Sequence, residues 1–482
     1  MWTIIQKEFF EDLLNQRFLA GILVSVVLTV GAIALQTAEY AKQLEEYRES
    51  NAVQEKFLDS IGPENFFLLS QIPLIPPEPL SSLANGLRIE YISNDFDENF
   101  LPRLFPVMDL VFIVSIIMSL LALLFSHDSI CGEKERGTLR LIVSNSVPRS
   151  RLILCKWLGG TASIMLPFLI SCLLGLIYIS ISPSLQLHLE DLAAFVLIVI
   201  ASLSLISLFY LLGLMVSAMT ANSSTSALTC IFLWVLIVFV IPNLGPYLAA
   251  QVAPVESIAM LNQLRSQGQQ EKDRQELQKL LDQISDKYEI EYGQMFREYQ
   301  TWIYEEKMAR SGMQAPESPL RSMGLKYRKE IRDKRDEFYQ AQKNKLDMLA
   351  TQIKLETQKQ SRLARNLAAV SPFTDYLYLA TEFAGTGVES RSYSGRQTES
   401  FVKVFVDYVQ ILAKRAGVGE QISLDDLKNI KLDMSDRPRY EYKPQPLAER
   451  VELVLPYWAV ILLFNVLFFA GAFVGFLRYD VR

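Results

Sequence analysis

The residues best suited to chemistry in this 482-residue chain lie in one polar stretch between two apolar runs. It reads His127-Asp-Ser-Ile-Cys-Gly-Glu-Lys-Glu-Arg-Gly-Thr-Leu-Arg-Leu-Ile-Val-Ser-Asn-Ser-Val-Pro-Arg-Ser-Arg-Leu-Ile-Leu-Cys-Lys-Trp-Leu-Gly159. Mixed charges at Glu133, Lys134, Glu135 and Arg136 precede Gly137 and Thr138. Leu139, Leu141, Ile142 and Val143 then supply apolar contact before Pro148 breaks the chain. The pattern predicts a short helix, a turn and a basic re-entry through Arg149 and Arg151. Such a loop can dock on a soluble partner and pass on its movement. An ordinary basic loop explains the charges but not the ordered apolar run.

Nucleotide chemistry is not encoded there. A phosphate-binding loop needs Gly-x-x-x-x-Gly-Lys-Ser/Thr, in which backbone amides cradle the phosphates and the lysine contacts them. Gly132–Thr138 has the two glycines and the threonine but lacks the lysine, and no other stretch fits. His127, His188 and the four cysteines show no zinc-ligand spacing, so no metal is expected. No acid–base or nucleophile constellation stands out. The remaining candidates sit in apolar surroundings. Asp109 is a carboxylate at the edge of an apolar run, where either a path role or capping fits. Asn465 either lines a path or bonds a neighbouring helix. Pro242-Asn243-Leu-Gly-Pro246 breaks the end of another run.

The elements that must position these residues are membrane spans. The chain is 50% hydrophobic and 21% charged, with a mean hydropathy of +0.19. Those averages conceal uncharged runs over 18–38, 110–126, 157–187 and 192–255. About 18 uncharged apolar residues suffice to cross a bilayer, so a simple soluble protein is excluded. Six spans are predicted, at 18–38, 106–126, 157–181, 191–217, 226–249 and 455–477. The net charge of −6 and the absence of a basic, aromatic-interleaved stripe exclude a nucleic-acid binder.

The positive-inside rule orients the spans. Lys134, Arg136, Arg140, Arg149, Arg151 and Lys156 crowd the second loop, whereas 182–190 has no Lys or Arg. Both termini and the 127–156 loop are therefore expected in the cytoplasm. The first span is too long for a signal peptide, and acidic residues precede it. Residues 1–17 predict an amphipathic helix at the cytoplasmic interface, or else an extension of the first span. The outer loop 39–105 is acidic, with a polyproline-like patch at 71–79.

The expected domains are 1–17, the spans 18–249, an extracytoplasmic domain 250–454, and 455–482 with the last span. Leu277, Leu281, Ile284, Tyr288, Met295 and Trp302 recur at helical spacing. Ile331, Phe338, Leu346, Leu349, Ile353, Leu363 and Leu367 repeat the pattern after the break at 311–319. The expectation is a helical hairpin over 260–370, reaching ~65 Å at 1.5 Å per residue and zipped as a coiled coil; a compact helical domain fits the same content. Ser371 to Gly385 is amphipathic and aromatic, and is expected at the outer interface. The fold class is thus all-α integral membrane, with a large helical head between spans five and six.

The run Gly132-Glu-Lys-Glu-Arg-Gly-Thr-Leu139, then Ser144-Asn-Ser-Val-Pro-Arg-Ser-Arg151 and Lys156-Trp-Leu-Gly159, resembles the permease subunits of type 2 ABC exporters. Ala384-Gly-Thr-Gly387 and the terminal Phe476-Leu-Arg-Tyr-Asp-Val-Arg482 are similar to a subset with a large outer insertion before the last span. The resemblance implies a multi-pass, non-enzymatic transport subunit in a bacterial inner membrane. It implies pairing with a second permease copy or paralogue and with an ABC ATPase dimer that holds the ATP and Mg. The 133–143 stretch would contact the ATPase, Pro242 and Asn243 would lie in a re-entrant segment, and the cargo would be amphiphilic or a peptide. Membrane lipids and an extracytoplasmic protein are further partners. The competing readings are force transmission without a crossing substrate, and a non-transport scaffold.

Overall fold

Long apolar runs without interior breaks dictate helices, because only a helix satisfies its own backbone within one segment. In the computed structural model, residues 2–14, 16–60, 73–84, 108–139, 148–182, 185, 187–309, 318–415 and 436–478 are described. Among these, every regular element is helical. The expected turn at 311–317 lies outside the described residues, as do 61–72 and 85–107.

Among the described residues, six helices are long and apolar enough to cross a membrane. They are α2 (Gln16–Ser60), α3 (110–126), α5 (Arg149–Ile181), α6 (Leu189–Met219), α7 (Ser223–Val252) and α14 (Leu447–Leu477). α1 (Trp2–Leu13) is a separate helix packed on α5. α4 (Cys131–Glu135) is the short helix of the charged loop. α2 continues through the acidic stretch to Ser60. No Gly or Pro interrupts it after Gly31, and i,i+4 pairs such as Gln43–Glu39 (3.1 Å) favour continuation.

The chain divides into two compact units. The first comprises 1–242 and 369–482 and contains the spans. α6 is its centre, packed against α3, α14, α5 and α12 (Pro372–Phe383). Small residues let the helices approach: a Cβ on Gly160 would lie 1.8 Å from the Tyr210 hydroxyl, and one on Gly471 2.5 Å from the Met215 sulfur. Hydroxyls stitch the contacts, with Trp157 Nε1 donating to Ser207 at 3.0 Å and Trp234 Nε1 to Ser119 at 2.9 Å.

α12 departs from its expected place at an interface. Tyr376, Leu379, Ala380 and Phe383 are fully buried in the main apolar cluster. Its N-cap Ser371 donates to Ile237 O at 2.6 Å, and Tyr376 bonds Ser202 at 2.9 Å. Those partners lie midway along α7 and α6, so α12 enters the bundle halfway and turns back. The turn is built at Gly385, whose φ of 76° suits glycine. Glu382 then caps α13 (Val388–Arg415), accepting from Glu389 N at 2.8 Å and Ser390 N at 3.1 Å. A Cβ on Gly387 would lie 2.2 Å from this carboxyl. The Ala384–Gly387 motif is therefore a helix-to-helix corner. Beside it Tyr442 bonds Glu78, and Arg450 holds Phe383 O at 2.9 Å. Burial pushes the Glu78 carboxyl up, against the Tyr442 hydrogen bond and Arg450, which pull it down.

The second unit is 243–368, so the 371–450 segment clusters with the spans rather than with this unit. α8 (Glu256–Arg265), α9 (Gln267–Tyr292) and α10 (Gln294–Ala309) form one arm, and α11 (Ser318–Ala368) the other. α11 alone has 51 residues, or ~77 Å at 1.5 Å per residue. Gly293 (φ 51°) breaks the first arm. The arms meet through an aromatic cluster of Tyr288, Phe296, Tyr299 and Tyr327. Gln360 Nε2 donates to Ala253 O at 3.0 Å near the base.

Candidate functional site

α4 is too short to hold itself by propensity. Its position comes from bonds to the ends of other helices. The Ser217 hydroxyl accepts from Ile130 N and Cys131 N, both at 3.0 Å. Lys134 Nζ reaches the last carbonyls of α6, donating to Ala218 O at 2.6 Å and Thr220 O at 3.0 Å. One residue on, Glu135 accepts from Ser223 N at 2.9 Å and Ser223 Oγ at 2.8 Å, at the start of α7. A cation thus sits on the negative end of one helix dipole and an anion on the positive end of the next. The Lys134–Glu135 pair clamps the turn that joins α6 to α7.

Glu133 engages a third direction. Lys156 of α5 is 2% exposed and donates to Glu133 at 2.9 Å and to Glu8 of α1 at 3.1 Å. One buried ammonium therefore joins three elements: α1, α4 and α5. α1 can lie this close because a Cβ on Gly159 would fall 2.9 Å from Glu8 Cβ. A fourth tie comes from Arg149, which donates to Leu477 O at 2.9 Å, the last residue of α14.

Gly137 ends α4 with φ 73°, and Thr138 Oγ1 reaches back to Glu133 O at 3.4 Å. Leu139 is fully buried with Ile130, Ile153, Leu214 and Phe476. Arg136, Gly137 and Thr138 are exposed, as is the rim of Glu135. Leu141 lies outside the described residues. Beside the exposed tip an open cavity of about 1020 Å³ is lined by Lys134, Glu135, Thr220, Gly471, Gly475 and Arg478. The described part of the loop is thus anchored to neighbouring helices, with Arg136–Thr138 exposed.

The path candidates do not join it. Asp109 caps α3, its carboxylate accepting from Phe112 N at 2.7 Å. Asn465 donates to Ser204 O at 3.1 Å and ties α14 to α6. α7 runs through Pro242 and Asn243 after a π-helical stretch, Leu236–Val240. Pro242 has no N–H for the carbonyls one turn back, and Ser371 of α12 supplies the missing donor to Ile237 O. Pro242 thus leaves a carbonyl that Ser371 fills, and α7 continues through both prolines rather than ending there.

Sequence reasoning missed Glu8, Ser217 and Ser223 as partners, and saw Lys156 as a loop cation opening the Lys156–Gly159 motif, not as a link between helices. The available signal was a lysine placed immediately before an apolar run, facing the acidic side of an amphipathic N-terminal helix.

The family model for the ABC-2 family transporter protein matches residues 2–481. The chain belongs to that family. As an ABC-2 family member it is a multi-pass membrane component of an ABC transporter, a transport subunit rather than an enzyme, and membership implies an ABC ATPase partner subunit. Among curated proteins, none matches the chain.

Proposed function

We propose that this ABC-2 family protein is the permease subunit of an ATP-driven exporter in a bacterial inner membrane. The 127–156 loop receives motion from a separate ATPase dimer. Both termini and this loop face the cytoplasm, and 250–454, with the helical hairpin over 260–370, is the extracytoplasmic insertion of the large-headed subset. Two such chains, identical or paralogous, pair to form the path for a hydrophobic or amphiphilic molecule or a peptide. The lipid-long apolar faces of the spans support the membrane placement, and the basic loop supports the orientation.

One observation carries the coupling role. The exposed tip at Arg136–Thr138 is continuous with side chains bonded to α1, α5, α6 and α7. A push on the tip is therefore delivered to several helices at once. Replacing Arg136 by Glu reverses an exposed tip charge without touching Lys134 or Lys156. Co-purification of the ATPase should fall about tenfold, with membrane insertion and the thermal midpoint unchanged. Undiminished association would remove the docking role. The ~77 Å length of α11 favours a second reading, in which the hairpin carries force outward and nothing crosses.

A further inference from the structure

One buried side chain in the span unit has no part in coupling. Asp375, in the first turn of α12, is fully buried. Among the described residues, neither of its carboxylate oxygens has a hydrogen-bond partner, and the neighbouring Thr374 hydroxyl is also buried and unpartnered. An ionised carboxylate in apolar surroundings with no donor is so costly that the group takes up a proton instead.

Among the described residues, the surroundings offer nothing to offset the charge. α12 packs on α6, α14, α13 and the π-helical stretches of α3 and α7. On α6, Tyr210 is the one side chain with an ionisable hydroxyl, thiol, acid or base beyond Glu190 and Asp191 of the first turn. The stretches 113–118 and 236–240 have no titratable group. Asp109, before α3, has the same sign and already caps its own helix. At the far end of α12, Arg450 of α14 is bonded to Phe383 O, close to Glu449 and Glu452, and Glu389 and Arg391 open α13. Tyr376 is engaged with Ser202, and the Tyr378 ring packs at a tilt against Tyr457 of α14. Among the described residues no cation pairs with Asp375.

We propose that Asp375 is a proton-binding site inside the helix bundle. While α12 is seated the side chain is a neutral carboxylic acid, with the proton taken from water. Returning the proton to water requires α12 to leave its seat, because the anion has no donor there. The inference depends on the burial of α12 and stands apart from the reading of the 127–156 loop.

The test uses full-length protein in lipid nanodiscs with carbon-13-labelled aspartate. Infrared spectra at neutral pH should contain the carbonyl stretch of a protonated carboxylic acid. The band should vanish in Asp375→Asn and persist in Asp109→Asn. Absence of a protonated acid in the wild type, or survival of the band in Asp375→Asn, overturns the proposal. If Asp375→Asn does not fold, loss of the band in a wild-type titration to high pH decides the point, and a band absent throughout overturns it.

A second measurement follows the thermal midpoint from about pH 5 to about pH 9, a window above the ordinary carboxyl value. A carboxyl held protonated in the folded state gives full stability at low pH. That stability is lost as pH rises through the folded-state value, by at most about tenfold in the folding equilibrium per pH unit. Asparagine has no proton to lose, so wild type should fall relative to Asp375→Asn as pH rises. Taking this difference cancels the contribution of Glu78. Parallel curves would overturn the proposal.

Discussion

The loop around α4 and the hairpin of the second unit are both dense in charge, yet they use it in opposite ways. In the loop, Glu133, Lys134, Glu135 and Lys156 each bond a different helix, and Lys156 is buried between two carboxylates. In the hairpin, charges such as Lys287 and Glu330 are exposed pairs across the arms, and the arms are held by Tyr288, Phe296, Tyr299 and Tyr327. The difference teaches that charge density does not mark a connecting site. What marks it is charge placed at helix termini, where unpaired backbone groups need partners.

The largest expected effect lies in the loop. Lys156→Met leaves the Glu8 and Glu133 carboxylates partly buried without their cation. Breaking such a pair costs about 3–5 kcal/mol. The thermal midpoint of the span unit should fall sharply, and protease sites in α1 should open. Adding Glu8→Gln and Glu133→Gln should recover much of the loss, because no unpaired charge remains. If Lys156→Met is neutral and α1 stays protected, the three-element hub is wrong.

A smaller effect separates anchoring from charge. Ser217→Ala removes the acceptor shared by Ile130 N and Cys131 N, two buried backbone donors. Leaving them unsatisfied costs about 1–3 kcal/mol. The amides of Ile130 and Cys131 should exchange hydrogen faster, while those of α5 keep their protection. Exchange accelerating equally along α5 would mean that the loop is held as one block with the span, not by its bond to α6.

The spans were legible because hydropathy is local: each run carries its own signal at the right length. Their ends were less so. The charged residues after Ala38 read as a loop, whereas an unbroken helix with i,i+4 pairs continues to Ser60. The hardest segment was Ser371–Gly385. Its aromatic, amphipathic pattern suits an interface and a core equally, and the choice depends on Ile237 and Ser202, 134 and 174 residues away. The loop was legible as a site through its motif, but its wiring was not. Glu8 and Lys156 are separated by 148 residues, and no periodicity links them. Pro242 illustrates the same limit: a helix breaker in sequence becomes a docking point once Ser371 provides the donor that proline lacks.

The smallest effect tests the other side of the comparison. Lys287 Nζ lies 2.7 Å from Glu330, but the two side chains are 56% and 38% exposed. Glu330 holds the Lys287 ammonium above its ordinary value, and Lys287 holds the Glu330 carboxyl below its own. Solvent screens a pair of this kind, and two long side chains lose freedom by meeting. Lys287→Ala should therefore leave the unfolding of the second unit unchanged at physiological salt, with a slight loss only at low ionic strength. The glutamate's depressed value adds stability present above the ordinary carboxyl range and lost as pH falls through the folded-state value. Any acid sensitivity of the hairpin should lessen in the variant. Were Lys287→Ala to unfold the hairpin while Tyr299→Leu did not, charge rather than the aromatic cluster would hold the arms. The two regions would then be built alike.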